Sequence, residues 1–75
     1  MARNYARDYA EIAEFACKFR GHPTLECIEA YAQKRKIVSH RAGKAFWTKV
    51  DEGEIEVHKE PDGLYYIGAD ARPVQ

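Results

Sequence analysis

The side chains with the most to offer chemically sit in the middle of the chain. Residues 30–50 (AYAQKRKIVSHRAGKAFWTKV) contain no Asp or Glu, yet Lys34, Arg35, Lys36, Arg41, Lys44 and Lys49 are half of the chain's 12 Lys and Arg. His40, Trp47 and Thr48 are interleaved with them. Cations mixed with an aromatic ring and a hydroxyl suit nucleic acid. Ammonium and guanidinium groups neutralise phosphates, and Arg or Lys donates to guanine acceptors. Directly downstream, residues 51–63 (DEGEIEVHKEPDG) set Asp51, Glu52, Glu54, Glu56, Glu60 and Asp62 against Lys59. The formal net charge of +0 hides this polarity.

Other chemistries find less support. His22, His40 and His58 fall on three different segments, with no Ser-His-Asp or Cys-His arrangement and no G-x-x-x-x-G-K-[ST] phosphate loop. Catalysis is not expected, and neither is a cofactor. Cys17 and Cys27 read as small buried apolar groups. With His22 they lack the paired C-x-x-C knuckles of structural zinc, so no metal is expected. With 75 residues the chain makes one small domain. Its 45% hydrophobic content and mean hydropathy of −0.63 fit a soluble globule, and nothing resembles a signal peptide or membrane span. A cytoplasmic location is the expectation.

The elements that must position the basic stretch can be read from periodicity. Asn4 is suited to cap a first helix with Asp8 in its first turn, and Tyr5, Tyr9, Ile12, Ala16 and Phe19 form its apolar stripe up to Gly21. His22-Pro23 breaks the helix. A second helix begins at Thr24 as cap, buries Leu25, Ile28, Tyr31 and Ala32, and closes on Lys34, Arg35 and Lys36, where cations complement the dipole. Ser39 caps a third helix from His40 to about Glu52. Ala42, Ala45, Phe46, Lys49 and Val50 lie on its inner side; His40, Lys44 and Trp47 face outward, flanked by Arg41, Gly43 and Thr48. A solvated face is the plain explanation for any charge run. A Trp among cations, in a stretch without acids and directly followed by six carboxylates, argues instead for a surface that has a partner.

After Gly53 the period becomes alternating. Ile55 and Val57 lead into a Glu60-Pro61-Asp62-Gly63 turn, and Leu64-Tyr65-Tyr66-Ile67 returns. If Glu60 pairs with Leu64, His58 opposes Tyr66 near solvent and Val57 opposes Ile67 on the core side. Residues 1–68 then form the domain, and 69–75 an extended tail.

This α+β order, three helices followed by a two-stranded β-hairpin, resembles the winged helix-turn-helix superfamily over residues 24–68. Tyr31-Ala32 and Ile37 match its helix-turn-helix packing positions, and Ala42, Phe46 and Val50 match the inner face of its recognition helix. Val50-Asp51-Glu52-Gly53-Glu54-Ile55 is similar to its passage into the first wing strand, and Glu60-Pro61-Asp62-Gly63 to a wing tip. Three departures stand out. Lys36 occupies a turn position often held by Gly, Arg35 replaces a commonly apolar residue, and the wing is acidic.

The resemblance implies a small sequence-specific double-stranded DNA-binding protein, such as a transcriptional regulator or a phage or plasmid accessory factor. Its third helix would enter the major groove. His40, Arg41, Lys44, Trp47 and Thr48 would meet bases and groove edges, while Gly43 allows close approach. Lys34, Arg35 and Lys36 would contact phosphates. About six cations near the backbone would make affinity fall steeply with salt. A homodimer or higher homo-oligomer is expected, since one module buries little surface on DNA. The alternative is a protein-interaction module on the same scaffold, for example a small phage- or plasmid-encoded inhibitor of a larger enzyme.

Overall fold

A computed structural model describes residues 5–68. Helix α1 (Tyr5–Ala16) runs into a 3₁₀ turn, Cys17–Phe19; α2 is Thr24–Arg35 and α3 is Ser39–Asp51. Strands β1 (Val57–Lys59) and β2 (Tyr65–Ile67) form an antiparallel hairpin. The expected α+β order is thus present, and it is compatible with winged helix-turn-helix topology. The register is also the expected one: Val57 opposes Ile67, His58 opposes Tyr66 and Lys59 opposes Tyr65. The Glu60 amide donates to the Leu64 carbonyl, and Gly63 (φ 89°) closes the turn with its amide on the Glu60 carbonyl.

The interhelical core is built from Ile12 and Ala16 of α1, Cys27, Ile28, Tyr31 and Ala32 of α2, and Ala42, Ala45 and Phe46 of α3. Ile55 and Ile67 close it from the hairpin side, and Val57 packs against it. Spacings of three and four along each helix make these stripes. The loop after α1 adds a third edge to the hairpin. The Gly21 amide donates to the Ile67 carbonyl (2.8 Å), the Ile67 amide donates to the His22 carbonyl (3.0 Å), and Pro23 bridges to Tyr66. Pro23 has no amide to donate, so an edge position suits it.

Several expectations need correction. The first helix ends at Ala16, so Phe19 lies in the 3₁₀ turn and not on the helix's stripe. Leu25 is 60% exposed, and Thr24 and Cys27 take the buried positions beside Ile28 instead. Thr24 and Ser39 are the first residues of their helices; neither is a cap, and Pro23 and Val38 precede them. Cys17 is exposed, unlike buried Cys27, whose thiol pKa is pushed up to about 11 by burial. His58 is covered, its side chain only 14% exposed. It stacks on Tyr66, and its ring nitrogens lie 2.8 Å from the Gly68 carbonyl and 2.8 Å from Glu60 Oε2. The Asn4 cap, the Tyr5 side chain and the 69–75 tail lie outside the described side chains and residues.

Candidate nucleic-acid interface

The turn between α2 and α3 sets the orientation of the basic stretch. Lys36 adopts the left-handed conformation (φ 58°, ψ 45°), which Gly takes without steric cost. This explains the departure at that position: the bend is kept, with a Lys in place of the usual Gly. The Ile37 amide then bonds to the Ala32 carbonyl at 3.0 Å, and α3 starts two residues later. Ala42, Ala45 and Phe46 anchor the inner side of α3.

The six cations of the stretch divide in two. Arg41 turns inward, its Nε 2.8 Å and its Nη2 2.7 Å from Oδ2 of Asp8 on α1. Arg35 Nη1 lies 3.0 Å from Asp8 Oδ1, 3.0 Å from Glu11 Oε1 and 3.0 Å from the Tyr31 hydroxyl. Asp8 is 0% exposed and serves as the shared acceptor that ties all three helices together. Burial opposes the charge of Arg35. The Tyr31 hydroxyl and the two carboxylates outweigh it and hold the guanidinium pKa above its ordinary value. Burial likewise pushes the Tyr31 hydroxyl pKa up. Lys49 has its ammonium 3.0 Å from Glu52 and 3.5 Å from Glu54, and chiefly the Glu52 bond raises its pKa. Two arginines expected at the base edges and phosphates, Arg41 and Arg35, are therefore engaged inside the protein. Lys49 is held on the inner side as expected.

The other three cations, Lys34, Lys36 and Lys44, remain available. Lys34, Lys36, His40 and Lys44 are exposed, and among the described residues none of the four has an ion pair. Lys34 lies 5.5 Å from the Phe15 ring. His40, Arg41 and Lys44 line a cleft of about 230 Å³ with Tyr9 and Ala45, between α1 and α3. Trp47 is 36% exposed and packs edge-on against Phe46 (5.1 Å) and Tyr65 (5.6 Å). Tyr65 and Leu64 are themselves exposed, and Lys59 lies 6.0 Å from the Tyr65 ring. The wing is thereby joined to the outward side of α3. Thr48 is half-buried.

Gly43 leaves α3 unbroken and faces α2. A Cβ there would meet Ile28 Cγ2 at 3.8 Å, an ordinary contact, so the geometry around Gly43 belongs to helix packing. Sequence reasoning missed Asp8 as the organiser of the site. The signal was present, since Tyr5, Asp8 and Ile12 are spaced by three and four and put a carboxylate within the apolar stripe. The contact between Tyr65 and Trp47 was not foreseen either, because the two rings lie on different elements.

Among the described residues no group of three or more His, Cys, Asp or Glu is placed to hold a metal ion, and no helix is long and apolar enough to cross a membrane. Comparison with known protein families, with characterised proteins and with solved structures returns no match, so the likeness to winged helices rests on topology and on the residues named above.

Proposed function

We propose that this chain is a winged helix-turn-helix protein that binds double-stranded DNA, as a transcriptional regulator or a phage or plasmid accessory factor. α3 lies in the major groove. His40, Lys44 and Trp47 meet the groove, with Thr48 at its edge, and Lys34 and Lys36 sit on phosphates. Arg35 and Arg41 support this face from behind through Asp8. One observation carries the reading: unpaired Lys44 and exposed Trp47 share the outer side of a helix whose inner side is anchored in the core, with unpaired Lys36 just ahead of it. Lys36 adds to it. A cation kept in a conformation that favours Gly suggests a role for its charge, because such strain concentrates at functional positions.

With three lysines available instead of six cations, the salt dependence becomes specific. The slope of log affinity against log salt should be about −3, from roughly −0.9 per neutralised phosphate. Fluorescence anisotropy with labelled duplexes from 50 to 300 mM salt (on the order of the range in which such slopes are read) measures it. Lys36→Gly should lower affinity and reduce the slope by about 1, while the fold becomes no less stable. Binding that ignores both salt and Lys36→Gly would remove DNA as the partner.

A second reading has its own support. Trp47 of α3 and Tyr65 of the acidic wing form an exposed pair of aromatic rings, and Trp and Tyr dominate the hot spots of protein interfaces. If Trp47→Ala abolishes capture of a protein partner while DNA binding is absent in the wild type, the interaction module is the correct function.

A further inference from the structure

The charges on α3 oppose its own dipole. Its first turn has no acid and Lys36 lies just ahead of it, while Arg41 of that turn is paired with Asp8 of α1; it ends on Asp51, and Glu52, Glu54 and Glu56 follow. A helix is electropositive at its N-terminus and electronegative at its C-terminus, so cations at the first and carboxylates at the second raise its energy. Lys49 offsets part of this by bonding Glu52 and Glu54, and Arg20 lines the same cleft as Glu54 and Glu56. Asp51 and Glu56 are still exposed and form no ion pair among the described residues, as is true of Lys36 just ahead of α3 and of Lys44 at its middle. Lys36 and Asp51 are separated by the 13-residue helix, about 20 Å, and Lys44 lies about 10 Å along it from Asp51. These are roughly one to two Debye lengths in physiological salt, so the opposite charges are largely screened from each other within one molecule.

We propose that the acidic pole of one copy docks on the basic pole of a second copy, head to tail. The occupant of each pole is then this same chain. Charge complementarity argues for it: an acidic group at the end of one α3 faces the basic group at the start of the next, and the two helix dipoles align. A two-fold contact through either pole would bring like charges together. The head-to-tail contact leaves a free pole at each end, so growth is open-ended. Lys36 and Lys44 against Asp51 and Glu56 make a polar, exposed contact, which sets a weak and salt-sensitive association. The basic pole is also the face assigned above to DNA, so self-docking and DNA compete for it. The contact itself does not depend on that assignment.

Sedimentation of the full chain without DNA tests this. At about 25 mM salt, where the Debye length is roughly 20 Å, the average mass should rise with concentration; at about 500 mM, where it is roughly 4 Å, the chain should be monomeric. Lys36→Glu with Lys44→Glu gives a chain with two acidic poles, and Asp51→Lys with Glu56→Lys gives one with two basic poles. Each alone should associate at least tenfold more weakly than the wild type, and an equimolar mixture should associate again. Circular dichroism melts confirm that both variants fold, as exposed positions allow. A wild type that stays monomeric at low salt, variants that associate as it does, or a mixture that stays monomeric would each overturn the proposal. Restored association in the mixture with no DNA affinity in any chain would uphold it and remove the DNA reading alone.

Discussion

Arg35 and Arg41 are close in sequence to Lys36 and Lys44, carry the same charge and belong to the same acid-free stretch. The fold separates them completely. The two guanidiniums converge on Asp8, which is fully buried, while the two ammoniums face outward without an ion partner among the described residues. The planar, multi-donor guanidinium can satisfy a buried carboxylate from two sides, which suits Arg to the inner role. Lys is a compact, strongly hydrated charge on a flexible stem and is cheaper to leave in water. The lesson is that a run of cations is not automatically a binding face. Acceptors brought in by a distant helix remove some of them from use.

The comparison can be broken most directly at its centre. Asp8→Ala removes the buried carboxylate that two partly exposed guanidiniums share and should cost about 1–3 kcal/mol of stability. Lys44→Ala, on the outer side, should change it by less than about 0.5 kcal/mol. Urea unfolding midpoints measure both, and similar effects for the two variants would erase the distinction between inner and outer cations.

A smaller effect of opposite sign is expected at Gly43. Ala there makes an ordinary contact with Ile28 and lowers the backbone entropy of the unfolded chain, so the variant should gain about 0.5–1 kcal/mol. Thermal unfolding measures the gain. If DNA affinity fell while stability rose, the sequence-based role of Gly43 in close approach to a partner would return.

The gentlest perturbation is acid. Glu11 is held below its ordinary pKa of 4.5, chiefly by its bond from Arg7. Asp62 is held below 3.8 by the Leu64 amide and the Tyr66 hydroxyl. Both carboxylates titrate lower in the folded than in the unfolded chain. Their contribution is therefore complete above about pH 5 and lost as pH falls through the folded-state values. Unfolding midpoints should be flat from about pH 7 to 5 and decline below about 4, and Glu11→Gln should make that decline shallower.

Local pattern determined a good deal. Spacings of three and four marked the helices, Pro and Gly marked the breaks, and alternation with Glu60-Pro61-Asp62-Gly63 fixed the hairpin register to the residue. These features depend on neighbours within a few positions, where periodicity and turn chemistry act. Tertiary packing decided what each charge and each ring does. Asp8 reads as a dipole-complementing first-turn acid until α2 and α3 bring Arg35 and Arg41 to it, 27 and 33 residues away in sequence. Trp47 reads as an isolated exposed aromatic until the wing places Tyr65 against it. A polar side chain's role is set by the nearest partner of opposite character. That partner is chosen by the way the helices cross, which no local window of the sequence contains.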